Sequence, residues 1–256
     1  MLPLVVFVLA ALPIQAKTQA TAAPKPDRSG EPMLTRLFDD AGSLSTVHLR
    51  IFAESRSEAN VPMNAGGSTE LWFDRAKGYR LEVNSIWGGG PFYVSDGKQL
   101  LVDPMDDSEV VVIRPAKRAP YLSEPEFSVG KRRFSPVAYL LDGKPGMEAL
   151  VSKETPIRER TWPGGEHSVE FTTKEAGTIN LFWRDAGKRL LVTRAEWDNL
   201  PFWKRMHDQD PGDYEEPNQP LVRQTVEYVS VGRPLDGGLF RTLPPEGRKV
   251  KWEFGK

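Results

Sequence analysis

GGSTELWFDRAKGYRLEVNSIWGGGPFYVSDGKQLLVDP, residues 66–104, reads as a run of short antiparallel strands joined by tight turns. Leu71, Phe73, Leu81 and Val83 alternate with Glu70, Trp72, Arg80 and Glu82. That period of two is expected where one sheet face is apolar and the other meets water. Lys77-Gly78, Gly88-Gly89-Gly90 and Asp96-Gly97 mark the turns, because glycine accepts positive φ without a steric penalty.

Upstream, STVHLRIFAES places Val47, Leu49 and Ile51 on one strand face and His48, Arg50 and Phe52 on the other. Before it, PMLTRLFDDAG has Met33, Leu34, Leu37 and Phe38 at helical spacing, with Pro32 tolerated in the first turn and Gly42 able to end it. Downstream, EVVVIRP predicts a strand buried on both faces or covered by a helix, ended by Pro115. KRAPYLSEPEFSVGKRRF has no period and reads as a loop. FSPVAYLLDG predicts a short amphipathic helix carrying Val137, Ala138, Leu140 and Leu141, with Ser135 as its cap before Pro136.

The second half predicts strands near 152–160, 166–174, 177–184, 189–198 and 220–231, with turns at Glu175-Ala176-Gly177 and Asp185-Ala186-Gly187. FWKRMHDQDPGDYEEPNQP, residues 202–220, is polar and breaker-rich and reads as a surface insertion. With no long helix between strands, the pattern is an antiparallel meander of nine or more strands, and a sheet of that size curls. Two short helices are available to cover its concave face. The fold expected is mainly β (α+β): a curled antiparallel sheet forming an incomplete barrel with short helical lids. Apolar alternation marks burial but does not tell an open cavity from a solid core.

Composition narrows the function. Thirty-four basic residues against 35 acidic ones leave a net charge of −1, so no global field recruits nucleic acid. The absence of cysteine excludes disulfides, thiolate metal sites, a thiol nucleophile and lipid attachment through an N-terminal cysteine. MLPLVVFVLAALPIQA has an apolar stretch of about 14 residues, too short for a membrane span, and reads as a secretory signal peptide cleaved after Ala16 or Ala20. Only the terminal amine supplies its positive charge, so a retained anchor stays open as an alternative. The expected organisation is a signal peptide over 1–20, a linker over 21–31 and one domain over 32–256, with a periplasmic location.

Catalytic patterns are sparse. His48, His167 and His207 lie far apart and no HExxH spacing occurs. Asp103, Asp106, Asp107 and Glu109 do not fit a calcium loop and read as a solvated hairpin; Asp208, Asp210, Asp213, Glu215 and Glu216 read as a solubilising loop. Neither a metal nor a cofactor is expected, and a hydrolase assembled from distant residues is the less favoured reading. Trp87, Phe92, Trp162, Trp197, Phe202 and Trp203 could line a ligand mouth or serve as packing, and Trp197, Phe202 and Trp203 beside Lys204 and Arg205 could touch a membrane.

An early helix followed by SLSTVHLRIF, then Glu70-Leu71-Trp72-Phe73-Asp74-Arg75, Tyr93-Val94-Ser95-Asp96-Gly97-Lys98 and Leu243-Pro244-Pro245-Glu246-Gly247, form an ordered set. In this order the chain resembles the LolA/LolB-like periplasmic lipoprotein carrier and outer-membrane lipoprotein-sorting family. The resemblance implies an unclosed barrel with helical lids whose apolar cavity shelters acyl chains. It implies a non-enzymatic monomer with lipid or lipoprotein acyl chains, and inner- or outer-membrane proteins, as partners. The lining it implies here is Leu49, Ile51, Leu71, Phe73, Leu81, Val83, Phe92, Val94, Val137, Leu140 and Leu141. In the carrier branch an arginine after the Leu-Trp strand ties strand to lid, and Arg75 matches it, although Ala76 replaces the proline that usually follows. The alternative for Arg75 is a solvated turn residue. A related branch serves as an envelope sensor that binds a protein partner through the same cavity.

Overall fold

The computed structural model describes residues 25–56, 62–85, 88–104, 109–114, 136–173, 177–198 and 221–254, with positions 200, 204 and 208. The expected signal peptide, the unperiodic loop, the cap at Ser135 and nearly all of the 202–220 insertion lie outside these residues.

Helix α1 (Glu31–Gly42) is followed by β1 (Thr46–Arg56), β2 (Pro62–Asp74), β3 (Gly78–Ser85), β4 (Gly88–Ser95), β5 (Leu100–Asp103) and β6 (Val110–Arg114). Then come α2 (Pro136–Leu140), α3 (Lys144–Leu150), β7 (Ile157–Thr161), β8 (His167–Thr173), β9 (Gly177–Asp185), β10 (Leu190–Asp198) and β11 (Leu221–Val231). A 3-10 turn (Gly237–Phe240) leads to β12 (Val250–Phe254). Among the described residues the strands form one sheet of twelve, in the order β12-β6-β5-β4-β3-β2-β1-β11-β10-β9-β8-β7.

Laid flat, strands about 4.8 Å apart would carry this sheet across more than about 50 Å, whereas a helix of α1's length is only about 18 Å long. Yet α1 packs on β7 and β10, and its Leu34, Leu37 and Phe38 share one apolar cluster with residues of β1 to β5. The sheet therefore curls around the helices, as its accumulated twist favours. Its end strands β7 and β12 do not pair with each other, so the barrel is incomplete.

Three expectations need correction, and one helix was missed. The linker does not run to residue 31. Arg28 donates through Nη1 to the carbonyls of Ser152, Lys153 and Thr155 at 3.1, 2.9 and 3.0 Å, and Gly30 and Asp27 bond the backbone of Ile157. Polar composition marked these residues as unable to form a core, and they dock by hydrogen bonds to backbone groups instead. The triple glycine is not a turn: Gly88 and Gly89 sit in β4 opposite Ser85 and Asn84. The sheet is not wholly antiparallel, because β12 pairs in parallel with β6. Helix α3 was hidden by Pro145 and Gly146, which read as breakers but occupy its first turn.

Candidate functional site

The concave face is set by register. Leu49 faces Leu71, Leu71 faces Leu81, and Leu81 faces Tyr93. One strand position on, Phe73 faces Val47 and Tyr79. Thr69 lies between Ile51 and Val83. Side chains alternate across a strand, so these residues share the face that the helices cover.

Of the expected lining, Leu49, Ile51, Leu71, Phe73, Leu81, Val83, Val137, Leu140 and Leu141 meet in one apolar cluster. Phe92 and Val94 do not join them. They oppose Glu82 and Arg80 across β3 and β4 and so point to the convex side. Phe92 packs there on a small second cluster of Leu101, Val110 and Val112, with the Arg80 guanidinium 5.3 Å from its ring centroid. The register makes Tyr93 the inward residue of this strand, and its apolar neighbours on both sides concealed that in the sequence.

The cluster also holds residues outside the expected lining: Leu34, Leu37 and Phe38 from α1, and Ile157, Val169, Phe171, Ile179, Leu181, Val192, Trp197 and Val226 from the second half. Their period of two was legible in Ile179, Leu181 and Trp183. What was not legible is that β11 closes onto β1, with Leu49 opposite Tyr228 and Ile51 opposite Val226. Trp197 belongs to this core, and Trp162 is partly exposed on the convex side. Trp87, Phe202 and Trp203 lie outside the described residues.

Arg75 follows β2 and links sheet to helices. Its Nε donates to the carbonyl of Leu44, just after α1, at 3.2 Å, and its Nη2 to the carbonyl of Leu141, just after α2, at 3.1 Å. The guanidinium lies 5.1 Å from the Phe73 ring centroid. Burial lowers its pKa and Asp142 opposes that shift, but guanidinium remains charged at any working pH. Asp74 supports the turn that aims it, accepting the N–H groups of Ala76 and Lys77 through Oδ1 at 3.0 and 3.3 Å. Gly78 has φ +133, and a Cβ there would lie 1.9 Å from the carbonyl oxygen of Ser95, which explains the glycine of this turn.

The convex face carries cross-strand charge pairs. His48 Nε2 lies 2.7 Å from Glu70 and its ring stacks on Trp72 at 4.7 Å. Arg50 bridges Glu70 and Glu227, and Arg223 reaches Glu196 and Glu54. Such pairs across neighbouring strands pin register. Asp103, expected in a solvated hairpin, is buried and pairs with Arg248 at 3.0 Å; Asp106 and Asp107 lie outside the described residues. His167 stacks near Trp183 at 6.3 Å, apart from the His48 pair, and His207 lies outside the described residues. Among the described residues, no three His, Asp or Glu side chains gather into a metal-holding group.

No family model matches the sequence, and no curated protein matches it. Among solved structures, the chain is similar to the lipoprotein LppX of Mycobacterium tuberculosis, at 12% identity and a TM-score of 0.39, covering 80% of this chain and 96% of that one. It is similar to a LolA superfamily protein from Nitrosomonas europaea at 10% identity and a TM-score of 0.34, covering 82% and 96%. It is also similar to LprF from Mycobacterium bovis at 13% identity and a TM-score of 0.36, covering 83% and 97%.

Proposed function

We propose that this chain is an exported, non-catalytic binding protein that shelters the acyl chain of a lipid or lipoprotein against the concave face of its sheet. The observation that carries the reading is the Arg75 latch. One side chain on the sheet holds the carbonyls that follow both α1 and α2, above a face of aliphatic and aromatic side chains. In the closed form the helices fill that face themselves, since Leu34, Leu37 and Phe38 have no exposed surface. A ligand takes their place when the helices lift. The apolar stretch near the N-terminus supports export to the periplasm.

Energetics set the kind of ligand. Returning three such side chains to water costs about 2 kcal/mol each, and a buried methylene contributes about 0.8 kcal/mol. Chains shorter than about eight carbons therefore fail to displace α1, while a chain of about 16 carbons does so with surplus. The surplus is what makes binding reversible yet tight, and a membrane partner able to engage the lifted helices would complete delivery.

The test is a titration of the full chain with fluorescent fatty acids of increasing length, beside Arg75→Ala. Affinity should rise steeply beyond about eight carbons, and Arg75→Ala should take up and release the long chain faster, since two hydrogen bonds no longer hold the lid. Failure to bind any chain length, in either protein, would replace this reading with a solid core and a protein-binding sensor role.

A further inference from the structure

The two ends of the sheet are finished differently, with β7 last on one side and β12 last on the other. At β7 the N–H of Ile157 donates to the carbonyl of Asp27 at 2.8 Å, and its carbonyl accepts the N–H of Gly30 at 2.9 Å. The outward backbone groups of this strand therefore belong to Ile157, Glu159 and Thr161, and the first of these is already engaged. A second copy pairing antiparallel about Glu159 would set Glu159 against Glu159 and Arg158 against Arg160. Like charges directly opposite destabilise a strand pair, so this edge is guarded against its own copy.

β12 carries no such guard. Val110 donates its N–H to the carbonyl of Lys249 at 2.9 Å, so Lys249, Lys251 and Glu253 turn their backbone groups toward β6. By the alternation of a strand, Val250, Trp252 and Phe254 turn theirs outward, to the side where, among the described residues, the sheet ends. Trp252 is 48% exposed. On the other face the side chains of Lys251 and Glu253 are 57% and 44% exposed, with Nζ 2.8 Å from Oε1. An outward row of donors and acceptors is a template for another strand.

The strand Val250-Lys251-Trp252-Glu253-Phe254 is its own complement when read antiparallel. A two-fold axis at Trp252 sets Trp252 against the Trp252 of a second copy, Lys251 against its Glu253 and Glu253 against its Lys251. Trp252 then falls at a hydrogen-bonded position, where both backbone bonds are exchanged. The charge pairs fall at the intervening positions, where Cα atoms approach to about 4.5 Å and side chains are closest. Opposite charges there stabilise the pair. The smallest slip that keeps the backbone bonds would instead set Lys251 against Lys251 or Glu253 against Glu253.

We propose that the outer edge of β12 is an interface between two copies of this chain, joined as antiparallel strands about a two-fold axis at Trp252. Paired residues point to the same side of a sheet, so both concave faces open the same way. The proposal departs from the monomer that the family resemblance implies, and it does not depend on what the concave face holds. Five residues a side, against roughly 20–30 in a standard interface, set the association in the micromolar rather than the nanomolar range.

Sedimentation equilibrium of the full chain between about 1 and about 500 μM tests it. The expected result is a monomer–dimer equilibrium that weakens as salt rises. Glu253→Lys and Lys251→Glu should each weaken it about tenfold, because each opposes like charges at both pairs. Mixing the two variants should restore it, since every lysine then faces a glutamate, and that recovery also shows that both fold. The chain has no cysteine, so single cysteines report the register. Trp252→Cys should cross-link to itself on oxidation, its Cα atoms lying about 5.5 Å apart. Val250→Cys should not, because its two copies lie more than about 13 Å apart along the strands. A monomer at every concentration would overturn the proposal and leave the edge to an extended segment of another protein. A dimer indifferent to both charge variants, or cross-linked equally at the two positions, would overturn it as well, since the contact would then lie elsewhere.

Discussion

Gly42 and Gly143 meet backbone to backbone: a Cβ on Gly42 would lie 2.6 Å from the Cα of Gly143. Gly42 ends α1, and Gly143, at φ +64, precedes α3. The helical cover is therefore assembled on a contact that admits no side chain.

Alanine in place of a helical glycine ordinarily gains up to about 1 kcal/mol, whereas overpacking a closed contact costs about 1–3 kcal/mol. Here the neighbour is backbone and cannot turn aside, so the clash wins. Gly42→Ala should lower Tm by several degrees in calorimetry, and an unchanged or raised Tm would mean that α1 does not touch the α2–α3 corner.

A second prediction concerns pH. The tip of the β7–β8 hairpin folds onto the convex face, where Glu166 accepts two bonds from Arg194 at 3.0 and 2.9 Å. Arg194 lies 3.7 Å from the Phe182 ring centroid, and Trp162 covers the same ring at 5.7 Å. The bond from Arg194 holds the Glu166 carboxyl below its ordinary value. A lowered carboxylate contributes its stabilisation above the ordinary value and loses it as pH falls through the lowered one. The Trp162 emission, isolated by difference against Trp162→Phe, should change only below the ordinary glutamate range. Glu166→Gln should abolish that transition, and a midpoint at or above the ordinary glutamate value would contradict the clamp.

The C-terminal segment gives a third. After β11 it crosses the sheet: Lys77 donates to the carbonyl of Leu235 at 3.3 Å, and Gln99 to that of Thr242 at 3.1 Å. Arg248 pairs with buried Asp103 before β12 joins β6. Arg248→Ala should destabilise the fold by about 1–3 kcal/mol in urea, because a buried carboxylate loses a partner. Adding Asp103→Asn should recover part of the loss, and a double variant no better than the single one would show that the pair is not what matters there.

Much of the architecture was legible because it is local. Alternation in Leu71, Phe73, Leu81 and Val83 specified the inward face, and the helical spacing of Leu34, Leu37 and Phe38 specified the lid. The misplacing of Phe92 and Val94 has the same physical root as these successes. A strand with apolar residues at consecutive positions has no phase of its own, and only pairing with β3, where Tyr93 meets Leu81, decides which side each takes. Long-range partners left no local trace. The pairing of Leu49 with Tyr228, the docking of Arg28 on the carbonyls near Thr155 and the parallel addition of β12 each join residues remote in sequence, so no window of neighbouring residues encodes them.

The pairing of β1 with β11 also governs when the protein can fold. The strands before α2 and those after α3 are each built from neighbours in sequence, but the seam that joins them unites residues 46–56 with 221–231. Loop closure on that scale is slow, and it has to wait for the second strand to exist. A chain cut after residue 220 should show no single cooperative unfolding transition. During synthesis the polypeptide would stay open along that seam until its final strands emerge, and under the export proposed above the barrel wall would close only after passage.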